Sequence, residues 1–189
     1  MLVVIVVLVV IVVIVVIVVI VVGCKFEKNW IILYTMRRKD KEIIDKDIIL
    51  EIIRKSEICR IALTDGEIPY IVPLNFGFSD NCLYFHSASS GRKIDLIKNG
   101  GRVCFEMEQG SEIIRKEVAC DWTARYRSVI GYGTIEILTT REDKIHGLDI
   151  IMKHYGKTDN AYLEGNVSRM VILKLTIDEI SGKQSGDWD

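Results

Sequence analysis

Tyr84-Phe85-His86-Ser87-Ala88-Ser89-Ser90-Gly91-Arg92-Lys93 is the stretch whose reading decides the fold of this chain. Tyr84 and Phe85 suit a pleated strand, 87–91 is a run of small residues suited to a tight turn, and Ile94, Leu96 and Ile97 begin a short helix. The first N–H groups of a helix have no partner inside it, and here Arg92 and Lys93 stand beside them, so the junction is a place to hold a phosphate. Taken alone, the pattern also describes an ordinary loop with solvated charges. His86 is the one histidine inside the motif, and at a strand end it reads either as a satisfied structural histidine or as a group that meets a ligand.

Working outward, the helix that starts at Gly91 is expected to stop near Asn99, where Gly100-Gly101 supplies a C-terminal cap. Upstream, Asp45 caps a helix in which Ile48, Ile49, Ile52 and Ile53 recur at helical spacing. It ends near Lys55-Ser56 and is expected to pack across a sheet edge or barrel mouth. Runs 59–64 and 68–75 read as strands joined at Asp65-Gly66, a hairpin signal, and 83–86 is a third strand after a turn at Ser79-Asp80-Asn81. Runs 103–108 and 128–137 read as two further strands, separated by a polar stretch around Trp122 whose form the pattern leaves open. Residues 142–155 place Ile145, Leu148, Ile151, Met152 and Tyr155 on one helical face, and 170–177 is a closing strand before a polar tail. About six strands with hairpin links and short helices predict a mainly β (α+β) chain, a closed or split antiparallel barrel.

The N-terminus departs from this pattern. Residues 2–22 are Val, Ile and Leu only, long enough to span a bilayer as a helix, and Lys25, Lys28, Arg37, Arg38 and Lys39 after them would leave the remainder in the cytoplasm. Against an anchor, the run is a near-perfect Ile-Val-Val triplet with no basic residue before it, as a repeated nine-base tract would encode, and Met36-Arg37-Arg38 reads as an alternative start. Val21-Val22-Gly23-Cys24 resembles a lipoprotein processing box without the basic region that should precede one. The chain is therefore read as a low-complexity extension or membrane anchor over 1–35 and one folded domain over 36–189, with a cytoplasmic location expected for the latter.

Subtracting Lys25, Lys28 and Glu27 leaves 23 basic and 25 acidic residues from Met36 onward, a net charge of −2, so no basic excess exists to track a nucleic acid backbone. The five cysteines contain no Cys-x-x-Cys pair and no cluster with histidine, which indicates neither a zinc site nor a disulfide framework. His146 and His154 are eight positions apart, about 12 Å along a helix and too far for one metal. Ser87 and Ser128 lack the histidine and acid spacing of a hydrolase nucleophile. Pro73 marks an edge or a missing ladder bond, and Gly131 and Gly133 permit a close approach, either to a ligand or within a barrel corner.

Several motifs recur together: Met36-Arg37-Arg38-Lys39-Asp40-Lys41-Glu42, Asp65-Gly66 with Pro69-Tyr70, Val72-Pro73-Leu74-Asn75-Phe76-Gly77, Tyr84-Phe85-His86-Ser87-Ala88 with Gly91-Arg92-Lys93, and Tyr126-Arg127-Ser128-Val129-Ile130-Gly131. In this order and spacing the chain resembles the pyridoxamine 5'-phosphate oxidase-like flavoproteins, most closely their nitroimidazole-resistance branch, from Met36 to about Ser185. The resemblance implies an FMN-binding split β-barrel that forms a homodimer with FMN at the subunit interface. It implies that Arg92, Lys93, Ser87, Ala88 and Gly91 hold the phosphate, with Arg60 a further contact. Val72, Pro73, Leu74, Asn75, Ser128 and Val129 would line the flavin ring and offer it backbone hydrogen bonds. His86 would lie near the flavin as catalytic proton donor or substrate clamp. The activity implied is reduction of nitroaromatics or other small electrophiles at the expense of a nicotinamide or other donor. The alternatives are a non-catalytic FMN- or haem-binding module and pyridoxamine phosphate oxidation, the latter lacking an evident second basic cluster for a substrate phosphate.

Overall fold

Asp45 accepts the Asp47 N–H at 2.8 Å and opens helix α1 (Lys46–Lys55), whose Ile49, Ile52 and Ile53 are fully buried. Arg54 and Lys55 fall in its last turn, where cations oppose the negative end of the helix dipole. The computed structural model describes residues 36–188; the extension or anchor expected over 1–35 lies outside the described residues. Among the described residues no helix is long and apolar enough to cross a membrane.

The strands are β1 (Glu42–Ile43), β2 (Cys59–Leu63), β3 (Tyr70–Leu74), β4 (Gly77–Ser79), β5 (Cys82–Ala88), β6 (Arg102–Ile114), β7 (Thr123–Leu138) and β8 (Met170–Ser185). They form one antiparallel sheet in the order β3-β2-β6-β7-β8-β5-β4, with β1 added beside β8. Consecutive strands β3 and β4 thus lie at opposite ends of the hydrogen-bonded path, yet only Asn75 and Phe76 join them. Three Cα steps reach at most about 11 Å, so the sheet curls until its two edges nearly meet without pairing. The result is the expected antiparallel barrel, in its split form, with an open seam between β3 and β4.

Alternation decides what fills it. One row of cross-strand neighbours, Val72, Ile61, Phe105, Gly131 and Ile180, faces inward, and the adjacent row, Pro73, Arg60, Glu106, Ile130 and Ser181, faces outward. The inner row belongs to the main apolar core with Leu83, Phe85 and the buried face of α1. Gly131 is required there, because a Cβ would stand 2.3 Å from the Phe105 ring; the glycine admits the protein's own core and no ligand. Helix α2 (Arg92–Lys98) adds Ile94, Leu96 and Ile97 to this core, and Gly100 and Gly101 end it at φ of 78° and 119°. Helix α3 (Arg141–His154), capped by the Thr140 hydroxyl, covers the far face of β5 with Leu148 and Ile151 against Cys82, Tyr84 and Ile172. A short helix α4 (Glu164–Val167) precedes β8.

Three expectations need correction. Asp65-Gly66 is not a two-residue hairpin: the Asp65 carboxylate accepts the N–H groups of Glu67 (3.0 Å) and Ile68 (3.2 Å), so a wider loop holds 64–69 and β3 begins only at Tyr70. The tail after Ile177 is not loose but continues β8 to Ser185, because 179–185 pair with β7 from Tyr126 to Tyr132. The undecided stretch around Trp122 is the end of a long β6–β7 hairpin, bulged between Gln109 and Glu112, whose exposed polar residues show no inward alternation. The tight turn sits instead at Asp80-Asn81, both with positive φ (50° and 62°), the geometry of a two-residue hairpin.

Candidate functional site

Residues 89–91 carry the chain from β5 into α2, and Gly91 takes φ of 111° with open space where a Cβ would stand. No side chain caps the helix start. Arg92 lies over the Tyr70 ring, 4.9 Å from guanidinium carbon to centroid, which fixes the start of α2 at the beginning of β3. Lys93 is half-buried, and burial lowers the pKa of its ammonium. Among the described residues neither cation takes part in an ion pair. Asp65 senses Arg92 weakly: its carboxyl is held below the ordinary range first by the Glu67 and Ile68 N–H groups and least by Arg92. A half-buried ammonium without a carboxylate is a costly arrangement that an anion would relieve.

Beside these cations runs the edge strand β3. It pairs with β2 on one side only, so along Tyr70–Leu74 alternate backbone groups point to the seam, and Pro73 contributes no N–H. Tyr70, Val72 and Leu74 lean on the core, while Ile71 is 63% exposed. The strand spans about 16 Å at 3.3 Å per residue, from the Arg92 and Lys93 end to Asn75. An elongated ligand with an anionic end could therefore lie along it.

The remaining candidates divide by strand face. Ser87 is buried, facing the barrel core with Phe85, whereas His86 and Ala88 are exposed on the opposite face of β5 beside Tyr84. The structure thus does not bring the side chains of His86 and Ser87 to one surface. Ser128 lies on the outer face, cross-strand from Glu108 and Lys183. Val129 is fully buried in the core, and as part of a central strand its backbone is in the ladder with β6 and β8. Arg60 is engaged already, with Glu106 at 3.1 Å and Glu108 at 3.6 Å. Burial raises the pKa of Glu106, and Arg60 offsets part of that rise. A phosphate at Arg60 would compete with two carboxylates already paired to it, whereas at Arg92 and Lys93 no ion pair among the described residues would have to be displaced. His146 packs edge-on to Tyr84, and His154 faces the Ser56 carbonyl at 2.8 Å, so both act in packing.

Sequence reasoning missed Tyr155 as more than a helix-face residue. Its hydroxyl donates to the Glu57 carbonyl (2.7 Å) and accepts from the Phe76 N–H (3.1 Å) and the Asn75 amide (3.3 Å). Only the tertiary fold brings these groups together, and no local signal announces them.

No curated protein matches the chain. Among solved structures, the chain is similar to a candidate 5-nitroimidazole antibiotic resistance protein from Bacteroides thetaiotaomicron VPI-5482, at 33% identity over 76% of this chain and 86% of that one, with a TM-score of 0.68. It shares its fold with the FAD and heme binding protein from Mycobacterium smegmatis, at 20% identity over 78% of this chain and 75% of that one, with a TM-score of 0.70. The flavocytochrome Anf3 from Azotobacter vinelandii has the same fold, at 16% identity over 82% of this chain and 73% of that one, with a TM-score of 0.70. The sequence model described as pyridoxamine 5'-phosphate oxidase matches residues 45–184, a span that runs from the cap of α1 almost to the end of β8 and takes in the cation pair and the seam. On that match, and with the split barrel it encloses, this chain belongs to the pyridoxamine 5'-phosphate oxidase family.

Proposed function

We propose that this chain is an FMN-dependent oxidoreductase that reduces small planar electrophiles, nitroaromatics foremost. The observation that carries the reading is Lys93, half-buried and free of ion pairs among the described residues, beside Arg92 at the foot of an edge strand with unpaired backbone groups. A terminal phosphate dianion matches that cation pair. Family membership and the named role of the Bacteroides relative support the activity, and the flavin in the names of the fold neighbours supports the cofactor class.

In this reading Arg92 and Lys93 hold the phosphate. The free edge of β3, from Val72 to Asn75, offers its N–H and C=O groups to the ring. Bound FMN supplies the electron transfer between a nicotinamide donor and the substrate. His86, exposed near the end of β5, serves as proton donor to the substrate or as its clamp. A second copy of the chain completes the site: Ile68 and Ile71 are 61% and 63% exposed, and Ile130, on the outer sheet face with Pro73, is 43% exposed. Residues 36–189 form the flavin-binding unit, and its location is cytoplasmic.

The test is to purify residues 36–189, record the visible spectrum, identify the released chromophore by mass, and follow nicotinamide oxidation with and without a nitroimidazole. Bound FMN with nitroimidazole-dependent turnover is expected. Tight flavin binding without turnover would instead favour a carrier module, and a colourless folded protein that refuses FMN would remove the cofactor altogether.

Lys93 alone separates a ligand-binding cation from a structural one. Because its ammonium is disfavoured by burial, the folded state is weakened below the lowered pKa and recovers as pH rises toward the ordinary lysine value. Lys93→Met should therefore raise the melting temperature of the flavin-free protein slightly at pH 7, while weakening FMN binding roughly tenfold. A lysine with a purely structural role would show the opposite: lower stability and unchanged affinity.

A further inference from the structure

The seam between β3 and β4 has no strand-to-strand hydrogen bonds to hold it, yet it borders the backbone proposed to receive the flavin ring. What bridges it is the C-terminal end of α3. A phenolic hydroxyl has one proton to donate and two lone pairs to accept with, and Tyr155 uses all three. It donates to Glu57, which follows α1, and it receives both the backbone N–H of Phe76 and the side-chain amide of Asn75, the two residues that cross the seam. The neighbouring His154 reinforces the same junction: its Nε2 faces the Ser56 carbonyl at 2.8 Å and its ring lies 4.3 Å from that of Phe76, which is fully buried. Full hydrogen-bonding occupancy is notable in a residue that is 40% exposed, where water could have served instead. The bonds tie the Asn75-Phe76 crossing, at the end of β3, to the segment after α1 and to the end of α3.

We infer that Tyr155 is the positioning residue for the flavin-ring wall, acting through Asn75 and Phe76 and not by touching the cofactor. This rests on the flavin reading given above. With the hydroxyl in place, the end of β3 is already in its bound position before the ring arrives; without it, ring binding must first order the seam and affinity falls.

The full-length Tyr155→Phe variant keeps the aromatic packing against His154, whose ring centroid lies 5.0 Å away, and removes only the hydroxyl. Its matched control is Tyr162→Phe, which removes a phenol that donates to Asp149 of α3 at 2.8 Å and to neither Asn75 nor Phe76. Both variants are expected to lose a similar amount of thermal stability. Only Tyr155→Phe should raise the dissociation constant for FMN, roughly tenfold, move the absorption and fluorescence of bound flavin toward those of free flavin, and speed hydrogen exchange at the Phe76 amide. If the wild type binds FMN and Tyr155→Phe binds it as well, with an unaltered spectrum, the inference is overturned and the flavin reading stands. Equal loss of FMN affinity in Tyr162→Phe would overturn it too, by exposing general destabilisation as the cause. A wild type that takes no FMN defeats the functional reading itself, which is a different result from either.

Discussion

Changing Arg92 and Lys93 together to Ala should leave a folded protein that no longer retains flavin. Each charge-assisted contact to a phosphate contributes about 1.5–3 kcal/mol, so the pair removes about 3–6 kcal/mol, or roughly two to four decades of affinity at about 1.4 kcal/mol per decade. Titration of the purified variant with FMN, followed by fluorescence quenching, measures this directly. Folding should survive, since neither side chain belongs to an ion pair among the described residues and the helix keeps its inner face of Ile94, Leu96 and Ile97. Arg60→Ala is the internal comparison: with Glu106 and Glu108 already compensating its charge, its loss should cost far less flavin affinity than the double change. Undiminished FMN occupancy in the double variant would remove the phosphate from this end of β3.

Phe105→Ala should be the most destabilising single truncation in the barrel. The ring is fully buried at the centre of the inner row, between Ile61 on β2 and Gly131 on β7, and the glycine opposite has no side chain with which to refill the space. Loss of a buried phenyl ring costs about 3–5 kcal/mol, a large share of the roughly 5–15 kcal/mol that holds a domain together. Urea denaturation should show this as an earlier midpoint with an unchanged slope. Ile113→Ala, on the hairpin arm and 49% exposed, should change stability by no more than about 0.5 kcal/mol. Equal effects at the two positions would mean that the assigned pairing of β6 with β7 is wrong.

The features legible in the sequence were those decided within a few residues. Asp45 caps α1, Asp80-Asn81 turns β4 into β5, Gly100-Gly101 ends α2, and the apolar spacing of 142–155 gives α3, each through local backbone preference. The run of small residues before Arg92 and Lys93 was readable for the same reason. Read together, the co-linear motifs also carried the family. Tertiary structure alone decided the rest, because it concerns partners far apart in the chain. The mostly polar stretch 179–185, with Ile180 as its one apolar residue, is held as strand by β7; Val129 and Ser128 occupy opposite faces of β7. Arg60 is neutralised by carboxylates 46 and 48 positions on. Tyr155 reaches Phe76 across 79 positions only because two residues must join opposite edges of one curled sheet. Local propensity writes the elements, but closure of the barrel chooses which charges are left without ion pairs among the described residues, Lys93 among them.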